Sequence, residues 1–188
     1  MTTENVLTLE SRAITPTEAR AAIAWARSLR GDKWALYLRS LWETGLRPGE
    51  VLELTIDNVS SDHIRIQRFK KKGHPWDQVP IQPGLALSLR IYAQKAKIKK
   101  GRLFPDTIQA AWKMLQEVKH HAKLRPHITL HSFRHGFAYN MLSQQQDQPA
   151  VALPLLQRWL GHDNINTTAR YIRPTYDSLR EAAKELKF

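Results

Sequence analysis

A tyrosine, Tyr171, follows a histidine, His162, by nine positions near the C-terminal end of the sequence. A tyrosine hydroxyl can attack phosphorus and hold the phosphoryl group as an ester. The more common role of a tyrosine in such a place is to pack as a buried aromatic. The presence or absence of other residues that can bind a phosphate or transfer protons therefore distinguishes a nucleophilic tyrosine from a packed one.

Two arginines are placed where they could hold a phosphodiester. Arg47 follows a glycine turn in ETGLRPGEVLEL and begins a short helix, where backbone N–H groups also favour an anion. Glu50 comes three positions later, so it can share a helix face with Arg47 and hold its guanidinium. In LHSFRHGFAYNML, Arg134 and His131 are likewise three positions apart on one predicted helix face. Each stretch alone is equally consistent with a solvated helix surface.

Together these residues supply what phosphoryl transfer to a tyrosine requires. Along the chain come Arg47, the three lysines of FKKKGHPW, His131, Arg134, His162 and Tyr171. Two arginines can clamp the non-bridging oxygens and stabilise the charge that grows in the transition state. A lysine or histidine can protonate the departing oxygen. Because no acidic cluster has the spacing of a Mg²⁺ site, we expect chemistry without a metal or other cofactor.

The charge of the chain indicates a polyanionic partner. There are 29 Lys and Arg residues against 17 Asp and Glu, a net charge of +12, which is typical of nucleic-acid binding but also of ribosomal-type basic proteins. The absence of cysteine excludes a disulfide framework and a thiol nucleophile, and fits a reducing cytoplasm. No apolar run approaches the roughly 18 residues that a membrane span needs, and the N-terminus lacks the features of a signal peptide.

The elements that must position these residues are mainly helices. Thr15, Pro16 and Glu18 form the pattern of a capping box at a helix start. A second helix is expected over about 32–44, ended by Gly45. The alternating segments HIRIQRF and DQVPI flank the turn residues of KKKGHPW, which predicts a β-hairpin with a basic tip. Further helices are expected near 84–98, 106–123, 131–144, 151–161, 164–172 and 175–186. The predicted fold class is mainly α with a small antiparallel β-sheet.

Four segments, in order along the chain, resemble those of tyrosine recombinases, the phage integrase family. TGLRPGEVLEL is similar to the family's first arginine box, and HSFRHGFA to its His-x-x-Arg-His box. LGHDNINTTARYIRP is similar to its final box, including the nine-residue step from histidine to tyrosine. KKKGHPWDQVPI is similar to the hairpin that carries a catalytic lysine before a Val-Pro strand. The similarity runs from about residue 14 to residue 188, and the four segments together make it specific.

The resemblance implies a role for each matched position. Arg47 and Arg134 would bind the scissile phosphate, with Glu50 in support of Arg47. His162 would hydrogen-bond a phosphate oxygen, and His131 would act as a general acid or base.

The covalent step would belong to the last box and the hairpin. Tyr171 would form a 3′-phosphotyrosine bond, and Lys72 would protonate the 5′-hydroxyl leaving group. Lys72 lies eight positions before Pro80, which is the spacing that the family leads us to expect. Lys71 or Lys70 would take this role if the register of the hairpin slips.

Five basic residues are further expected to contact DNA: Lys70, Lys71, His135, Arg170 and Arg173. Arg170 and Arg173 flank Tyr171, so they would contact the DNA backbone near the cut or act as a local counter-charge to the phosphate.

The function that the resemblance implies is site-specific DNA strand exchange, which serves integration, inversion or resolution. The expected partners are double-stranded DNA, four protomers assembled on two DNA sites, and an accessory DNA-bending or directionality protein. A type IB topoisomerase would use the same chemistry. A catalytically silent DNA-binding regulator would share only the fold, and the presence of all six candidate residues argues against it. An RNA-binding protein would expose aromatics on a sheet, where the hairpin offers only Phe69 and Trp76.

Three parts are predicted along the chain. Residues 1–14 are an N-terminal arm, 15–174 a catalytic domain, and 175–188 a C-terminal helix that packs on its own domain or is exchanged between protomers. Family members usually carry a separate N-terminal DNA-clamping domain, so the sequence is expected to be either a catalytic fragment or a small complete form, which the start MTTEN favours. The segment LSQQQDQPAVALP is expected to be a surface insertion.

Overall fold

A computed structural model of the chain describes residues 9–68, 73, 75–144, 149–162, 164–169 and 171. The helices of these residues are α1 (Leu9–Arg12), α2 (Pro16–Arg30), α3 (Asp32–Thr44), α4 (Pro48–Leu52), α5 (Pro83–Lys95), α6 (Ile108–His121), α7 (Leu130–Ser143), α8 (Pro149–Leu160) and α9 (Ile165–Ala169). The strands are β1 (His63–Gln67) and β2 (Trp76–Pro80), and a 3₁₀ turn covers Ile56–Asn58. This agrees with the predicted fold class. Among the described residues, no helix has the length and apolar character to cross a membrane.

The first long helix begins where the sequence predicts. The Thr15 hydroxyl accepts a hydrogen bond from the Glu18 backbone N–H at 3.2 Å, and the Glu18 carboxylate accepts one from the Thr15 N–H at 2.9 Å. Both bonds satisfy donors that a helix start would otherwise leave open. The buried face of α2 is made of small residues, Ala19, Ala22 and Ala26. Their size lets α2 pack closely against α3.

Helix α3 lies at the centre of the core and connects to α4. Its Tyr37 is fully buried and donates a hydrogen bond to the Pro48 carbonyl at 3.3 Å. Burial raises the pKa of the Tyr37 phenol well above its usual value, so this donor is retained at any ordinary pH. Gly45 ends α3 in the left-handed region with φ of 63°. The sharp turn that results directs Arg47 to the start of α4.

The hairpin is antiparallel, with Ile64 opposite Val79 and Ile66 opposite Asp77. Ile64, Ile66 and Val79 are buried, because alternate residues of a strand face the same side. The predicted basic tip, residues 69–72 with residue 74, lies outside the described residues.

Helix α7 approaches its neighbours closely because Gly136 carries no side chain. A Cβ at Gly136 would clash with the Ile14 carbonyl and with the ring of Trp42. The Ile14 N–H also donates to the Ser132 carbonyl at 3.0 Å. The entry to α2, helix α3 and helix α7 thus form one packed unit beneath the site.

Two boundaries differ from prediction. Helix α5 ends at Lys95 rather than near residue 98, because Lys97 adopts φ of 56°, outside the helical region. Helix α8 begins at Pro149, two positions before its predicted start, and α7 ends at Ser143, next to its predicted end at 144; residues 145–148 of the expected loop lie outside the described residues. Proline is favoured at the first position of a helix, and the following Ala and Leu residues favour continuation. The predicted C-terminal helix lies outside the described residues.

Candidate active site: buried arginines beside Tyr171

Arg47 is held at the start of α4 by Glu50. The Arg47 backbone N–H donates to Oε2 of Glu50, and its Nη1 donates to Oε1, each at 2.9 Å. The Glu50 side chain is 3% exposed and that of Arg47 is 20% exposed. The expected contact is therefore present. It fixes the guanidinium while leaving part of it within reach of a ligand.

Arg134 connects α7 to two other parts of the site. Its Nη1 donates to the Gly45 carbonyl at 2.8 Å, and its Nη2 donates to the Leu160 carbonyl at 3.0 Å. Burial, and then the nearby positive charge of Arg47, lower the pKa of Arg134 to about 10. The side chain is therefore still charged at neutral pH. His131 lies on the same helix but is exposed, so the predicted common face does not give these two residues a common environment.

The ring of His162 is fixed from both sides. Its Nε2 lies 2.9 Å from Nη2 of Arg134, and its Nδ1 lies 2.8 Å from the hydroxyl of Thr168. A guanidinium can only donate, so Nε2 must accept; in the neutral ring, Nδ1 then carries the proton and donates to Thr168. Thr168 is fully buried on α9. Sequence reasoning did not identify it.

A third arginine, Arg68, was also missed. It is 1% exposed, and its guanidinium donates to Oδ2 of Asp77 at 3.1 Å, to Oε2 of Glu50 at 3.4 Å and to the Trp159 carbonyl at 2.8 Å. One signal could have found it. Residue 68 continues the inward alternation of Ile64 and Ile66, and a charged residue at an inward position needs a buried partner.

Arg68 and Arg134 together bind the end of α8. They donate to the consecutive carbonyls of Trp159 and Leu160, which the helix itself leaves without N–H partners. Positive charge at a helix C-terminus is favourable. These bonds set the position of the turn that presents His162.

The site has an excess of positive charge. Arg47, Arg68 and Arg134 are grouped with two buried or nearly buried carboxylates, Glu50 and Asp77. The arrangement suits an anion of one or two charges. In the described part of the chain, His, Asp and Glu side chains form no group of three that could hold a metal ion.

Tyr171 is packed and also interacts electrostatically with Arg134. It is 8% exposed and belongs to a small apolar cluster with Leu156 and Leu160. Its ring meets the edge of Tyr139 with centroids 5.5 Å apart, and its hydroxyl lies 2.8 Å from Nδ1 of His135. Burial dominates the pKa of Arg134, but Tyr171 in its ionised form acts in the opposite direction. The two interpretations of this tyrosine are therefore compatible.

Of the remaining predicted site residues, the structure describes only His135. His135 is half-buried and contacts Tyr171. Lys70, Lys71, Lys72, Arg170 and Arg173 lie outside the described residues.

A mainly helical domain that gathers two arginines and a histidine beside a tyrosine, with a two-stranded hairpin at its edge, defines the class of tyrosine recombinase catalytic domains. The chain belongs to the phage integrase family, whose sequence pattern matches residues 12–178. This confirms the resemblance seen in the four segments.

Curated relatives agree with this assignment. The chain is 28% identical to tyrosine recombinase XerA of Pyrococcus horikoshii over 188 residues, which covers 94% of this chain and 61% of the relative. It is 33% identical to tyrosine recombinase XerD of Corynebacterium glutamicum over 152 residues, covering 75% of this chain and 48% of the relative. The chain thus spans about half to three-fifths of the length of these relatives.

Solved structures share the fold. The XerH site-specific recombinase in a pre-cleavage complex with its difH substrate matches with a TM-score of 0.73 at 21% identity, over 94% of this chain and 55% of that chain. The catalytic domain of bacteriophage HP1 integrase matches with a TM-score of 0.68 at 24% identity, over 92% of this chain and 94% of that one.

Proposed function

We propose that the chain is the catalytic part of a site-specific DNA recombinase, which cleaves and rejoins DNA through a 3′-phosphotyrosine intermediate. The observation that carries this proposal is the convergence of Arg47, Arg134 and His162 beside Tyr171. The relatives named tyrosine recombinases support it.

In this proposal, the arginines bind the scissile phosphate. Arg47 is partly exposed, and Glu50 holds it in place. Arg134 is anchored by two carbonyls and meets the phosphate with little freedom to move. Guanidinium groups donate pairs of hydrogen bonds that fit phosphate oxygens, and they stabilise the charge that develops during transfer. His162 donates a hydrogen bond to a phosphate oxygen once its Nε2, which accepts from Arg134 in the structure, carries a proton.

The same proposal assigns the covalent step. Tyr171 attacks phosphorus, and the 5′ oxygen leaves with a proton from Lys72, or from Lys71 or Lys70 in another register. His131 acts as a general acid or base. The reaction proceeds without a metal, because the arginines supply the positive charge that a metal would bring.

The proposed partner is double-stranded DNA. The neighbouring XerH structure is a complex with its DNA substrate, which supports this choice. The net charge of +12 supports it too, and makes the affinity fall steeply with salt. Strand exchange would need four protomers on two DNA sites, with residues 1–14 as an arm, 15–174 as the catalytic domain and 175–188 as a helix that can be exchanged. An accessory DNA-bending or directionality protein would join this assembly.

The experiment that tests the function does not require a known target. The protein is incubated with a pool of duplexes that have a random core and a nick, which traps the covalent product. Protein-linked DNA is then recovered after denaturation and sequenced. We expect an enriched site and an adduct that Tyr171→Phe abolishes. Tyr176→Phe, at the second tyrosine near the proposed nucleophile, should retain the adduct.

Other outcomes would favour other functions. Tight binding without any adduct would indicate a silent regulator. Relaxation of supercoiled plasmid without strand exchange would indicate a topoisomerase. An adduct that survives Tyr171→Phe would refute the proposed nucleophile.

A further inference from the structure

The hydroxyl of Tyr171 has a basic group directly beside it. Nδ1 of His135 lies 2.8 Å from Oη of Tyr171, and the two rings have centroids 5.8 Å apart. His135 follows Arg134 on α7 and is half-buried. This contact joins the helix that carries the phosphate-binding arginine to the proposed nucleophile.

A phenol that attacks phosphorus must lose its proton, so the acceptor has to lie within hydrogen-bond reach. The accepted reach for a general base is about 2.6–3.2 Å, and imidazole titrates near neutral pH. The other nearby groups fit this task less well. Arg134 can only donate, and both ring nitrogens of His162 are directed at Arg134 and Thr168.

We propose that His135 accepts the phenol proton of Tyr171 and is thus a further catalytic residue. This inference rests on the proposed function. It replaces the simple DNA contact expected for His135 with a direct part in the reaction, and it restricts the acid–base role proposed for His131, which is exposed, to steps other than removal of the phenol proton.

The step balances as follows. The Tyr171 oxygen forms a bond to phosphorus, the bond between phosphorus and the 5′ oxygen breaks, and the phenol proton passes to Nδ1 of His135. The 5′ oxygen takes its proton from a separate donor, which is Lys72 in the proposed function. On rejoining, the 5′-hydroxyl loses its proton and attacks phosphorus, and the departing Tyr171 oxygen recovers its proton from His135.

The surroundings favour this transfer. The edge contact of Tyr139 and the apolar cluster with Leu156 and Leu160 fix the phenol ring, so its oxygen is held at His135. The positive charge of Arg134 interacts favourably with ionised Tyr171. Because such an interaction is mutual, it stabilises the phenolate as the proton leaves.

The first test measures the contact without DNA. A fluorotyrosine is introduced at position 171, and its ¹⁹F NMR signal is compared among the unaltered protein, His135→Phe, and His120→Asn, an exposed histidine of α6 that serves as control. We expect the signal to move in His135→Phe and to stay in His120→Asn. An unchanged signal in His135→Phe would overturn the inference and leave the proposed function standing.

The second test separates proton transfer from positioning, using a duplex recovered from the random pool. In His135→Asn the amide takes the place of Nδ1, which keeps a hydrogen bond but removes the base. We expect adduct formation to slow by about 100-fold. It should recover at least in part when position 171 carries trifluorotyrosine, whose phenol ionises more easily, and His120→Asn should react normally.

Each possible result of the second test supports or refutes the role of His135. A normal rate in His135→Asn would show that His135 only positions the ring. A slow rate that trifluorotyrosine does not improve would show a structural defect. Either result would refute the inference, while an adduct formed by the unaltered protein would still support the proposed function. If the unaltered protein forms no adduct, both the inference and the proposed function are refuted.

Discussion

The guanidinium of Arg68 donates a hydrogen bond to the Trp159 carbonyl at 2.8 Å, across 91 positions of sequence. The same group contacts Glu50, which holds Arg47, and Asp77 of β2. Arg68 therefore joins the hairpin, the first arginine and the turn before His162. Several elements of the site depend on this single side chain.

Replacing Arg68 by methionine should destabilise the protein strongly. The substitution keeps most of the side-chain volume but removes the buried cation that Glu50 and Asp77 share, so Glu50 keeps only Arg47 and Asp77 keeps only the exposed Arg158. Loss of one partner of a buried ion pair costs about 3–5 kcal/mol. Urea unfolding at pH 7 measures the change.

The matched control for this prediction is Arg158→Met. Arg158 also pairs with Asp77, at 3.1 Å, but its side chain is 75% exposed. Exposed pairs contribute about 0–1 kcal/mol. Equal losses in the two variants would contradict the role assigned to Arg68.

Gly161→Ala should be more harmful than Gly101→Ala. Both glycines have positive φ, 66° and 92°, which strains any other residue. A Cβ at Gly161 would also lie 2.9 Å from Nε of Arg68, whereas one at Gly101 meets nothing within 4 Å. We expect Gly161→Ala to cost at least about 1 kcal/mol more in unfolding free energy, because overpacking adds to the backbone strain. Equal costs would show that Arg68 moves aside freely.

Thr168→Val should slow adduct formation about tenfold. The substitution removes the hydroxyl that accepts the His162 Nδ1 proton, and a lost hydrogen bond is worth about 1 kcal/mol. The readout is the rate of covalent product on the selected duplex, together with the ¹⁵N NMR tautomer state of His162. Thr167→Val, at the exposed neighbouring position, should change neither quantity. A normal His162 tautomer in Thr168→Val would contradict the prediction.

Glu18 should stabilise the protein in a pH-dependent manner. Its bidentate hydrogen bond to Arg125 lowers its pKa from 4.5 to about 2. A lowered pKa in the folded state means that the stabilisation is complete above pH 4.5 and is lost as the pH falls towards 2. Glu18→Gln keeps an oxygen for the capping box but removes the charge.

The two forms should therefore differ in unfolding free energy at pH 7, by about 1 kcal/mol, and converge near pH 2. Urea unfolding across this range measures the difference. A difference that does not change with pH would show that Arg125 binds Glu18 without regard to its charge.

Local features of this fold are predictable from the sequence. The capping box of Thr15 and Glu18, the end of α3 at Gly45 and the shared face of Ile64 and Ile66 each depend on residues a few positions apart. Backbone geometry fixes such relations almost independently of the rest of the chain. The match of the four segments, for its part, identified the family.

Relations between distant elements were not predictable in this way. Arg68 is buried because Glu50 and Trp159 surround it, and nothing in the hairpin sequence specifies those partners. The same holds for His135, whose partner Tyr171 comes 36 positions later. Helix α8 begins at Pro149 rather than at the predicted residue 151, because proline can start a helix as readily as a turn.

The bonds of Arg134 to the Gly45 and Leu160 carbonyls also have an entropic consequence. An arginine free in solvent carries about 2 kcal/mol of rotamer entropy, which is lost when the side chain is immobilised. Arg134 loses it during folding, before any ligand arrives. A phosphate that enters the site thus meets a preorganised guanidinium, and association need not order that side chain again.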